Sequence, residues 1–109
     1  GRLPLMLTRN CPVKNGKTCS ECKSSSYLTD RLGKKFPVVC NMGFSEILNS
    51  APLYMADRLD EIENMDFITF YFTKEKPELC EAVLEAYRRG ASLKEGSAYT
   101  RGLYYRGTE

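Results

Sequence analysis

Phe67-Ile-Thr-Phe-Tyr-Phe72, followed by Thr73-Lys-Glu-Lys-Pro77 and then by Cys80, Val83, Leu84 and Tyr87, is the stretch whose reading decides the fold. The first run is nearly continuous apolar and rich in β-branched and aromatic side chains, which predicts a strand covered on both faces, as in a parallel sheet. Pro77 has no amide proton to donate and is tolerated in the first turn of a helix, where that proton would have no partner. The i, i+3, i+4, i+7 spacing from Cys80 to Tyr87 predicts a buried helical stripe, with Gly90 as the stop. Cys80 is thereby read as a core residue.

Toward the N-terminus, Asp57 predicts the cap of a helix to about Asn64, with Leu59 and Ile62 inward and Asp60, Glu61 and Glu63 in water. A solvated, dipole-favoured face explains those acids without any catalytic role. Ala51-Pro-Leu-Tyr-Met-Ala56 predicts a short strand before the helix, and Ser45-Glu-Ile-Leu-Asn-Ser50 a helical turn or loop. Strand, helix, strand, helix with short links is the pattern of βα units. The expected class is therefore α/β, with two βα units over residues 43–109. Tyr99-Thr-Arg-Gly-Leu-Tyr-Tyr-Arg-Gly107 closes that part; Arg101, Tyr104, Tyr105 and Arg106 could grip nucleic acid, but packing back onto their own sheet is preferred.

Residues 1–42 read differently. Leu5-Met-Leu-Thr8 predicts a strand, limited by Pro4 to its first residue or an edge, and Pro12–Thr18 a loop turning at Asn15-Gly16. Tyr27–Asp30 and Lys35–Cys40 flank a glycine-containing turn and predict a β-hairpin. Pro37 cannot donate a ladder bond, so the second arm is expected at an edge, with Cys40 folding back over the earlier cysteines. This part is a Cys-rich loop and hairpin preceding the βα units.

Four of the five cysteines lie there, as Cys11, Cys19, Cys22 and Cys40, in a C-x7-C-x2-C-x17-C pattern. No stretch of the 109 residues approaches a membrane span or a signal peptide, which predicts a cytoplasmic protein with no membrane partner. A reducing compartment disfavours disulfides and leaves metal binding or redox chemistry for clustered thiols. Four thiolates suit structural zinc and iron–sulfur clusters alike. Only Cys19 and Cys22 form a close pair, which leans away from a zinc ribbon and toward a cluster; free structural thiols are the remaining reading.

Net charge is +2, but residues 1–40 hold eight Lys/Arg against two acids, and residues 41–109 eight against twelve. Arg9, Lys14, Lys17, Arg31, Lys34 and Lys35 are the candidate anion or RNA contacts, with a solvated lysine surface as the plain alternative. The chain has no histidine, which excludes Ser-His-Asp and Cys-His nucleophile sites and His-based zinc sites from these residues. No glycine-rich phosphate loop is present either.

Gly1-Arg-Leu-Pro-Leu-Met6, Cys11-Pro12, Cys22, Leu28-Thr-Asp-Arg31, Gly33, Lys35-Phe-Pro-Val38, Asn49-Ser-Ala-Pro-Leu53, Ala86-Tyr-Arg88 and Arg101-Gly102 form a linked series over most of the chain. In this series the chain resembles peptidase family U32, the collagenase-like proteases. The resemblance implies the closing part of an incomplete (β/α) barrel, a segment excised from a longer protein, with the remainder of the parent barrel as its partner. It assigns Cys11, Cys19, Cys22 and Cys40 to an iron–sulfur cluster of the 4Fe-4S type, with zinc as the alternative occupant. It also implies that the full-length form is an oxygen-independent hydroxylase of RNA, the segment alone being inactive. The competing functions are the collagenase-like protease of the family's label and a zinc-stapled structural or RNA-binding module without catalysis. Protease chemistry ranks last, because these residues supply no activated nucleophile.

Overall fold

The computed structural model describes residues 1–14, 18, 26–41, 43–92 and 97–106. The chain forms two compact units, Arg2–Ser50 and Gly1 with Ala51–Glu109.

The first unit is a four-stranded antiparallel sheet of β1 (Pro4–Thr8), β2 (Ser26–Thr29), β3 (Lys35–Asn41) and β4 (Phe44–Leu48), in the order β1-β4-β3-β2. The β2–β3 hairpin forms where expected. Asp30 Oδ1 accepts the Leu32 and Lys34 amides at 2.8 and 2.9 Å, and Gly33 takes a φ of 75° that a side chain would strain. β1 is the edge strand that Pro4 foreshadows.

Two expectations for this unit are corrected. Phe44–Leu48 is a strand rather than a helical turn, and β3 with its Pro37 lies inside the sheet rather than at the edge. The two corrections have one cause. The β3–β4 register begins at Val38, one residue beyond Pro37, so the missing proline donor falls outside that ladder. Pro37 pairs only with Tyr27 on β2, which leaves the other side of Val38–Asn41 free to accept β4.

In the second unit α1 (Pro77–Arg89) has the predicted bounds, with Pro77 in the first turn and Gly90 left-handed at φ 61°. The Gly90 and Ala91 amides donate to Tyr87 and Ala86 carbonyls, satisfying groups that the helix end would leave unpaired. Its apolar stripe is only half-buried: Cys80, Val83 and Tyr87 are intermediate, and Leu84 is exposed. Ala56–Ile62 is a kinked 3-10 helix without a side-chain cap, so the cap expected of Asp57 is absent. Ala51–Ala56 contributes a single parallel bridge, Leu53 to Thr100, in place of a strand.

The βα units, and with them a partial (β/α) barrel, are therefore not the fold: the sheet is antiparallel and lies wholly within Arg2–Ser50. Phe67–Phe72 belongs to no strand. Phe67 is 89% exposed, whereas Phe70 meets the Tyr87 ring edge-on at 4.8 Å and Phe72 stacks on Phe70 at 6.2 Å. A continuous apolar run predicts burial on two faces, but this one covers α1 with alternate side chains, and backbone pairing needs a neighbouring strand that its unit does not offer. Among the described residues, no helix is long and apolar enough to cross a membrane.

Candidate metal centre

β1 ends in a polar turn that presents Cys11. The Asn10 amide donates to Thr8 Oγ1 at 3.1 Å, and the Lys14 amide donates to the Cys11 carbonyl at 3.3 Å. Pro12 thus occupies the second position of a four-residue turn, where its fixed φ is favourable. Across the sheet, Thr8 on β1, Ser45 on β4 and Cys40 on β3 form one row, since Ser45 pairs with both of its neighbours. Directly opposed residues of an antiparallel pair project to the same face, so the Cys40 side chain meets that of Ser45, Sγ to Oγ at 3.6 Å.

Cys11 joins the same cluster. Its thiol is held below its ordinary pKa first by the Val13 backbone amide and then by the Ser45 hydroxyl; burial opposes them, and the Cys40 side chain and the Lys14 ammonium add to the lowering. All of these except burial favour the thiolate, the form that is both nucleophile and metal ligand. Cys11 is half-buried and Cys40 exposed, and both are unbridged. The remaining sequence-predicted ligands, Cys19 and Cys22, lie outside the described residues, as does Lys17. Among the described residues no group of three or more Cys, His, Asp or Glu converges.

The candidate cations do not gather as one patch. Arg9 lies over the Phe44 ring at 5.7 Å, and Lys14 is beside Cys11. Arg31, Lys34 and Lys35 are exposed around the β2–β3 turn, about 17 Å of strand from Cys40 at 3.3 Å per residue. Compared with family models, curated proteins and solved structures, the chain matches none. The site therefore stands on its own geometry: two soft ligands and a hydroxyl brought together from three strands, in a form that binds metal readily.

Two features escaped sequence reasoning. Ser45 carried no signal, because a serine inside a short apolar run reads as a turn until its strand is known. Asp57 and Arg101 were assigned to a cap and a tail, yet they form a two-pronged ion pair at 2.5 and 2.7 Å. Arg101 also donates to the Tyr54 carbonyl at 2.7 Å and lies over the Tyr99 ring at 4.8 Å. Tyr104 and Tyr105 donate to the Glu61 carbonyl and carboxylate at 3.1 and 2.7 Å. The tail side chains are thus engaged with the 3-10 helix rather than with a sheet, and only Arg106 keeps the freedom to contact an anion.

Proposed function

We propose that this chain is a four-thiolate metal-binding module in which Cys11, Cys19, Cys22 and Cys40 hold an iron–sulfur cluster. On this reading it is a segment of a U32-type protein whose full form hydroxylates RNA without oxygen. The observation that carries the metal site is the meeting of Cys11 and Cys40, 29 positions apart in sequence, at one buried serine on a thiolate-favouring turn. Clustered thiolates in a histidine-free chain select soft metals and cluster chemistry. When bound, the cluster supplies one-electron chemistry.

The chain's own contribution is to hold two ligands on a paired sheet and to keep the Cys11 sulfur deprotonated. Arg9 and Lys14 beside the ligands, with Lys17, Arg31, Lys34 and Lys35, supply cations for a phosphate backbone, so RNA affinity is expected to fall steeply with salt. Support for the RNA half comes from the sequence resemblance and this excess of cations.

Metal content of protein purified without oxygen is the test. Iron and sulfide with broad visible absorption are expected, and C40S should lose them while C80S, altered on α1, retains them. A colourless protein with one zinc removes the cluster and leaves a zinc-stapled structural module. Equal metal retention by wild type and C40S removes the site altogether.

A further inference from the structure

Ser45 is the one buried polar side chain among the described residues, with 3% of its surface exposed. A buried hydroxyl without partners would be costly, yet none is left unsatisfied among the described residues. The partners that satisfy Ser45 are sulfurs: Cys40 Sγ at 3.6 Å, and the Cys11 thiol, which the hydroxyl draws below its usual pKa. Neutral thiols are weak hydrogen-bond partners. A hydroxyl sealed in the middle of a strand against two of them makes more sense when the sulfurs carry charge.

We infer that Ser45 is a positioning residue of the metal centre, whose hydroxyl donates to the thiolate sulfurs of Cys11 and Cys40 when they act as ligands. A thiolate has no proton, so the hydrogen must come from serine. There is only one, shared between the two sulfurs, and it fixes both relative to the β3–β4 ladder. Groups that hydrogen-bond to metal ligands orient them and tune their donor strength, at about 10–100-fold in affinity. The carbon frame of serine contributes little here, since alanine would occupy the same place in the strand. This inference rests on the metal reading above.

The test uses cobalt(II) alone, added anaerobically to metal-free wild type, S45A and S45T, with circular dichroism confirming the sheet. Wild type should show thiolate-to-cobalt charge-transfer absorption. In S45A the band should move to lower energy, because the sulfurs lose a hydrogen bond that stabilises their lone pairs, and cobalt should pass to a chelator about tenfold faster. S45T keeps the hydroxyl and should restore both. Cobalt binding by wild type with an S45A protein identical in band and release rate overturns the role of Ser45 alone. Wild type that takes up no cobalt, or no more than C11S and C40S, overturns the metal reading and this inference with it. Should S45A not fold, exchange of wild type into D2O is expected to shift its cobalt–sulfur stretch, and an unmoved stretch overturns the inference.

Discussion

The sheet of Arg2–Ser50 and the segment from Ala51 onward are held by opposite means. In the sheet, continuous backbone ladders connect four strands, while the fully apolar interior is thin, with Val38 and Leu48 the buried hydrophobic side chains. The other unit has one isolated bridge between strands. Side chains hold it instead: Tyr54 meets Tyr87 and Tyr99 edge-on at 5.6 and 6.0 Å, Tyr87 accepts the Met55 amide at 2.9 Å, and Arg101 clasps Asp57. A ladder tolerates surface change and depends on register, whereas a clasp depends on a few atoms. The cysteine site sits on the ladder, which suits a centre whose ligands must keep fixed spacing.

The sharpest way to break this comparison is L48A. Leu48 is fully buried in β4, and losing it should cost about 2–5 kcal/mol through lost burial and the cavity left behind. The loss should be read as collapse of amide exchange protection in β3 and β4. Protection that survives would mean that the ladder needs no apolar core.

Acid should single out the clasped unit. The Arg101 guanidinium hydrogen-bonded to Asp57 holds that carboxyl below the usual carboxylate range. For Glu75, burial pushes upward but the amide donors of Thr73, Glu75 itself and Lys74 outweigh it, so its pKa is also lowered. Both folded values lie below the unfolded ones. The stability they contribute is therefore complete above the unfolded carboxylate range and is lost as pH falls through the depressed folded values. Tyrosine near-UV circular dichroism from the Tyr54 cluster should fade over that acid window, and R101A should move the fading to higher pH. A clasp that matters little would leave R101A and wild type with the same acid midpoint.

The smallest expected effects come from G33A and G90A, one in each unit. Both glycines have positive φ, and a Cβ at Gly33 meets nothing within 4 Å while one at Gly90 would lie 3.6 Å from the Ala56 carbonyl oxygen. Each substitution should cost about 1–2 kcal/mol, the ordinary penalty for a side chain in the left-handed region. Thermal melts should show G90A at least as costly as G33A, and the reverse order would mean that the hairpin turn constrains the sheet more than the helix end constrains its unit.

Local features were readable in advance. The β2–β3 hairpin follows from Asp30 and Gly33 between two β-prone runs, and the bounds of α1 from Pro77 and Gly90, because each depends on the conformational limits of single residues. Features that depend on a distant neighbour were not. Phe44–Leu48 is too short and mixed to declare itself a strand, and it becomes one because Met6–Thr8 and Val38–Asn41 present free backbone on either side. Phe67–Phe72 shows the converse, since strong β propensity without a partner yields an extended cover over α1. In the cysteine site, Cys11 and Cys40 were legible from residue type and spacing, whereas Ser45 was not.

The sequence by itself determined the turns, the helix limits, the cation-rich first part and the thiol chemistry open to a histidine-free chain, all of which reside in individual side chains or their immediate neighbours. Tertiary structure alone decided that the strands pair antiparallel, that Pro37 lies inside the sheet, that Arg101 closes on Asp57, and that Ser45 lies between Cys11 and Cys40. Those are pairings between residues far apart in the chain, and what selects them is the requirement that buried backbone and polar groups find partners.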